Sequence, residues 1–113
     1  MIYDEETGRK IVSKYILVGL SYIDSKGNLE SQLQLHGIVE RSSKEEGIVV
    51  MLKGAYDGEK VQLPADTSTL QEAAPGVYKL STTNEEIESP DFVCTFEIHK
   101  PPVAAENDMT GEK

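Results

Sequence analysis

The chain holds two histidines, His36 and His99, and one cysteine, Cys94, so any imidazole, thiol or transition-metal chemistry must run through these. Zinc sites gather three or four His, Cys or carboxylate ligands at convergent positions. His36 and His99 form no close pair at ligand spacing. A site completed with Glu30, Glu40 or Glu97 could be drawn in most acidic chains. Both histidines fall on the polar side of an alternating strand pattern and read as surface residues. Cys94 alternates with Phe92 and Phe96, which places its thiol in the core, where free cysteine is commonly found. A catalytic thiol needs an activating base or cation beside it, and His99, five positions on, falls on the opposite strand face. The expectation is therefore no catalytic residue, no cofactor and no metal site.

Other chemistry is equally sparse. Carboxylates are numerous, but acid–base work by a carboxylate pair depends on separations and shifted pKa values that spacing does not give. The sequence lacks G-x-S-x-G, Walker A, dinucleotide-binding glycine and C-x-x-C patterns. Lys53-Gly-Ala-Tyr-Asp-Gly58 holds two glycines but sits in a hairpin, not between a strand and a helix.

Charge is more informative. With 20 acids against 11 bases, a net charge of −9, the chain is a poor match for nucleic-acid phosphate or an anionic membrane surface. No segment offers the roughly 20 apolar residues a membrane helix requires. Arg9, Lys10 and Lys14 ahead of Tyr15-Ile-Leu-Val-Gly-Leu20 imitate a signal peptide faintly, but Asp4, Glu5 and Glu6 spoil its basic region. That run reads as a strand and the protein as cytoplasmic. The lone Cys94 forms no intrachain disulfide, which is compatible with a reducing compartment.

Two features suit a partner. Glu85, Glu86, Glu88 and Asp91 gather four negative charges in seven residues, and Tyr56 and Tyr78, with Tyr15 and Tyr22, could line a groove. The bland alternatives are a solvated acidic loop and tyrosines packed with wet hydroxyls. The reading is a non-enzymatic acidic module binding a protein partner, a basic one by charge, at Glu85, Glu86, Glu88, Asp91, Tyr56 and Tyr78. The alternatives are an antagonist or immunity-type protein masking a basic toxin or nuclease, and a small hydrolase or metal-dependent enzyme using His and carboxylate groups.

The elements that must position these residues follow from period-two patterns. Leu29 to Val39 alternates apolar with polar, while Tyr15 to Ile23 is apolar on both faces and needs cover on both. Asp24 to Asn28 supplies the intervening turn, giving a long hairpin over residues 11–41. Ile48 to Leu52 is a buried strand, and Asp57-Gly58, where both turn positions favour positive φ, joins Ile48–Tyr56 to Glu59–Leu63 as a hairpin. Asp66 or Thr67 can cap one helical turn over residues 66–72, anchored by Leu70. Val77 to Ser81 and Phe92 to His99 are further strands, with the acidic arm Glu85 to Glu88 between them. The predicted core is Ile16, Val18, Leu20, Leu33, Leu35, Val39, Val50, Leu52, Val61, Leu63, Phe92 and Phe96.

The sequence thus predicts a flexible lead-in over 1–10, one β domain over 11–100 and a disordered acidic tail over 101–113. Over residues 15–81 the layout resembles an SH3-like small barrel: all-β, antiparallel, partly open, of about five to six strands with one helical turn. That resemblance implies architecture and transfers no function.

Overall fold

The computed structural model describes residues 2–99 and is all-β. The expected tail from Pro101 onward lies outside these residues. The long hairpin is the frame. Strand β1 (Tyr15–Ile23) pairs antiparallel with the 15-residue β2 (Leu29–Ser43), with Val18 opposite Leu35 and Leu20 opposite Leu33. The turn between them is closed by Asp24, whose carboxylate accepts the Lys26 and Asn28 N–H groups. A register shift between Val39 and Arg41 bends β2, as an extra residue in one strand does. Past it, β3 (Gly47–Leu52) pairs with β2, and β4 (Lys60–Leu63) pairs with β3. Two short strands follow, β5 (Gln71–Glu72) and β6 (Val77–Lys79), then β7 (Glu86–Glu88) and β8 (Phe92–His99). The main sheet has the order β4-β3-β2-β1-β8-β5, and β6 with β7 forms a separate two-stranded sheet.

One face of the main sheet holds the larger core. Ile16, Val18 and Leu20 of β1 meet Leu35 and Val39, Ile48, Val50 and Leu52, Leu63, and Phe92, Cys94 and Phe96. The opposite face of β1 is apolar only at its start, where Leu17 packs with Leu80 and Ile87, flanked by Tyr15, Tyr78 and Val93. The β6–β7 hairpin is therefore a lid on the outer face. This is the two-sided cover that the doubly apolar β1 demands. Leu33 and Val61 are half-buried against the core rather than within it, and Ile11, Ile48, Leu80 and Ile87 join the buried set.

Several expectations are corrected. The sheet is mostly antiparallel, as expected, but β8 runs parallel to β1, Ile16 beside Phe92 and Leu20 beside Phe96. The sheet is also not closed, since β4 and β5 remain at opposite edges. No helical turn forms over 66–72. The Asp66 carboxylate takes the Ser68 N–H and hydroxyl, and Leu70 N–H bonds Thr67, giving successive turns instead. Helix appears elsewhere, as a 3-10 turn at Gly54–Tyr56 and as α1 (Glu5–Lys10) within the expected lead-in. Asp4 caps α1 by accepting Thr7 N–H at 2.9 Å, acids fill its first turn and Arg9 and Lys10 its last, as the helix dipole favours. The pattern of α1 is too short to show apolar periodicity, so its caps were its only sequence signal. The following residue, Ile11, is fully buried and ties the helix end to the core. Buried Thr67 holds the approach to α1, its hydroxyl accepting Asp4 N–H.

Candidate functional site

The outer face of β2 carries polar residues, as its alternation requires, but at His36 that face is not wet. The imidazole is 5% exposed; the surface position read from the sequence is overturned. The lid descends onto it. Between β6 and β7 the chain turns through Asn84 at φ +64°, with Asn84 N–H bonded to Leu80 and Leu80 N–H to Glu85. This turns the Glu85 carboxylate inward, away from its acidic neighbours. Oε2 lies 3.2 Å from His36 Nε2 and accepts Ala55 N–H at 3.0 Å, while Oε1 accepts the Thr83 hydroxyl at 2.8 Å. On the other side of the ring, Tyr15 Oη lies 2.6 Å from His36 Nδ1. Gly54, at φ +68°, closes the remaining side. A Cβ there would fall on the Glu85 carboxylate and the imidazole, so only glycine fits both the backbone and the space.

Proton counting orders this chain of side chains. An ionised carboxylate only accepts, so Nε2 carries the proton donated to Glu85, and in the neutral ring Nδ1 then accepts from the Tyr15 hydroxyl. A carboxylate orienting a histidine that faces a hydroxyl is the layout that activates a nucleophile. Here the electrostatics oppose activation. Burial, and then the charge of Glu85, raise the Tyr15 hydroxyl pKa above its ordinary value. Glu85 itself is lowered, chiefly by the Thr83 hydroxyl and then by His36 and Ala55 N–H, with burial opposing. Tyr15, His36 and Glu85 line none of the clefts at Thr69, Arg9, Leu33, Tyr78 and Gln71. The arrangement works as a latch, joining β1, β2, the 3-10 turn and the lid. A second clasp lies beside it, where Gln34 Oε1 accepts Ser81 and Thr82 N–H groups at 2.7 and 3.3 Å.

The other residues singled out by the sequence are spread out. Glu86 and Glu88 are exposed on the lid, with Glu86 opposite Lys79 and Glu88 opposite the exposed Val77. Asp91 accepts the Tyr15 N–H at 3.0 Å, guiding the chain into β8. Tyr56 packs against the main core, and Tyr78 packs under the lid with its hydroxyl donated to Ala74. Glu40 is held by Lys60 and Arg41. His99 is exposed, 3.4 Å from Glu97. Cys94 is buried as expected, and burial pushes its thiol up to about 12, far from a reactive thiolate. Among the described residues no three His, Cys, Asp or Glu side chains are placed to hold a metal ion. No helix among them is long and apolar enough to cross a membrane.

What remains open is the outer face beyond the lid. Leu17 is covered, but at Gly19 and Ser21 the outer face of β1 carries small or polar residues, and its neighbours there are Gln34 and Thr95, then Gln32 and Glu97. Four clefts meet at Thr95. One, of about 510 Å³, runs between Pro64, Asp66 and Thr69 on one side and Thr95, Phe96, Glu97 and His99 on the other. The others, of about 240, 280 and 350 Å³, reach the lid at Thr82, the lid at Tyr78 and the β5 loop at Gln71. Sequence reasoning missed this surface because threonine, serine and glutamine on a polar strand face carry no signal of shape. Comparison of the chain with family models, with curated proteins and with solved structures yields no match.

Proposed function

We propose that this chain is a non-enzymatic acidic module that binds a basic protein, using the uncovered outer face around Thr95. The observation that carries this reading is the meeting of four clefts on one strand residue, beyond the lid that covers the rest of that face. Concave, polar surface suits recognition, and the carboxylates and histidine it holds, Asp66, Glu97 and His99, are not placed to hold a metal ion. The grouping that most resembles an enzyme's, Tyr15–His36–Glu85, spends its hydrogen bonds internally, which disfavours the hydrolase reading. A charge of −9 favours a cationic partner and would speed encounter more than it tightens the complex.

The order of the first four strands supports an SH3-like reading of the architecture. A meander of β1 to β4 on a long bent β2, with the last long strand beside β1, follows that layout in open form. Exposed Glu86 and Glu88 on the adjoining lid would extend the negative field.

The test is capture of partners from cell lysate on the folded chain, followed by binding measured with the recovered partner. Thr95→Arg should weaken that binding at least tenfold, and raising salt should slow association. Glu86→Gln with Glu88→Gln should slow association by a few-fold while leaving dissociation unchanged. A partner that binds Thr95→Arg as well as the parent chain would overturn the outer-face site.

A further inference from the structure

The edge of β8 is closed over part of its length only. Gln71 pairs with Val93 and Glu72 with Phe92, and Ala73 N–H bonds Asp91. One step further, a side chain substitutes for a strand. The Thr69 hydroxyl accepts Thr95 N–H at 3.2 Å and donates to Thr95 C=O at 2.7 Å, taking both roles of a neighbouring peptide group. These bonds fix the outward set on β8: Thr95 points its backbone groups away from β1, and by the period of two so does Glu97. No strand among the described residues continues β5 past Thr69. The loop at Pro64 and Asp66 lines the 510 Å³ cleft instead, with Thr95, Phe96, Glu97 and His99 of β8, and Ser21 of β1 beyond them, on its sheet side.

We infer that this cleft receives an extended segment of the basic partner, which adds as a strand to β8 at Glu97. The inference rests on the binding-module reading and names how and what it binds. Strand addition supplies backbone hydrogen bonds from an edge that no strand among the described residues pairs, and pockets for alternate side chains supply selectivity. The Thr95–His99 edge is roughly 13 Å long, which suits about four residues of an extended chain. Phe96 and Glu97, consecutive on β8, face opposite sides of the sheet. An added strand therefore meets an apolar neighbour on one side and a carboxylate on the other, and its side chains alternate apolar with cationic. Pro64 and Asp66 line the same cleft. His99 Nε2 lies 3.4 Å from Glu97 Oε1 in the same cleft. A second copy of this acidic chain is the poorer occupant on charge.

The probe is a peptide of about eight residues alternating lysine and valine, with a glutamate–valine peptide as control. Binding to the full chain is followed by amide chemical shifts and hydrogen exchange at low salt. The expected result is saturable binding of the lysine peptide alone, with exchange at the Glu97 amide slowed at least tenfold. Glu97→Pro removes that outward N–H without touching the β1 ladder, and should abolish binding; Glu97→Gln keeps the N–H and should weaken binding and flatten its salt dependence. Because the parent chain alone reports protection, the inference does not depend on Glu97→Pro folding. Shifts at Gly19, Gln34 and Thr95 with Glu97 left unprotected would overturn strand addition and leave the outer-face module standing. Protection of Glu97 in the free protein, whether constant or rising with protein concentration, would mean the edge is already filled by the same chain or a copy, and overturns it. A chain that binds neither this peptide nor any cationic partner would remove both readings.

Discussion

Glu85 shows how one side chain changes meaning with its surroundings. In sequence it belongs to an acidic run; in the fold it is the acceptor for His36, Ala55 and Thr83. Glu85→Ala leaves a buried imidazole and a backbone N–H without their partner, so urea denaturation should show a loss of about 1–3 kcal/mol. Tyr15→Phe, at the far end of the same chain, should couple to it in a double-mutant cycle rather than add. The pH dependence has a definite sign. Because the folded pKa of Glu85 is lowered from its ordinary 4.5, its contribution is complete above that value and disappears as pH falls through the folded one. Asp4, Asp24 and Asp66 are lowered too, so the whole chain loses stability in acid. The difference between parent and Glu85→Gln, measured across that range, isolates the latch and should shrink toward zero as pH falls. None of this was legible at His36. Its alternation correctly puts it on the outer face of β2, but alternation says nothing of what lies over a face. The clue was in the other arm: Tyr15 and Leu17 made β1 apolar on both sides and required a cover, without saying which segment supplied it.

At the scale of elements, the strands were readable because burial on one side of a sheet leaves a period of two. The long hairpin and the span of β8 follow from such patterns and their turns; at Asp57-Gly58 the chain does return, but β3 stops at Leu52, a 3-10 turn over Gly54–Tyr56 intervenes and only Gly58 takes positive φ. The parallel pairing of β8 was not readable, since direction is set by where the chain travels between Leu63 and Phe92. The two faces also differ in strength. Leu35, 3% exposed in the main core, should cost about 2–5 kcal/mol when cut to alanine, read from the unfolding midpoint. The lid rests on far less, a cluster of three buried residues with Tyr15, Tyr78 and Val93 around it. Amides of β6 and β7 should therefore exchange through local opening at lower free energy than those of β1 and β2. Equal protection in both would mean that the latch makes lid and sheet one cooperative unit. Cys94 reports on the main core in the same way: its labelling by a thiol reagent should be slow and follow opening of the sheet.

For the molecule as a whole, the last long strand completes what the first one begins. The bond from Tyr15 N–H to Asp91 spans 76 positions, and the β1–β8 ladder starts beside it. Such distant pairing places folding toward the millisecond-to-second end of the range for small domains. It also has a consequence for how the protein is made. During synthesis the meander of β1 to β4 leaves the ribosome first, and β1 waits with one edge bare and both faces apolar. At roughly 5–20 residues per second the interval before β8 arrives is on the order of several seconds, long for an exposed apolar edge that can pair with any other strand. A chain stopped before Phe92 should accumulate in the insoluble fraction on expression, whereas the full chain should not. Adding residues 90–100 in trans as a peptide should recover part of the soluble yield. The nascent chain thus passes through a stage in which its survival depends on being kept apart from its own copies.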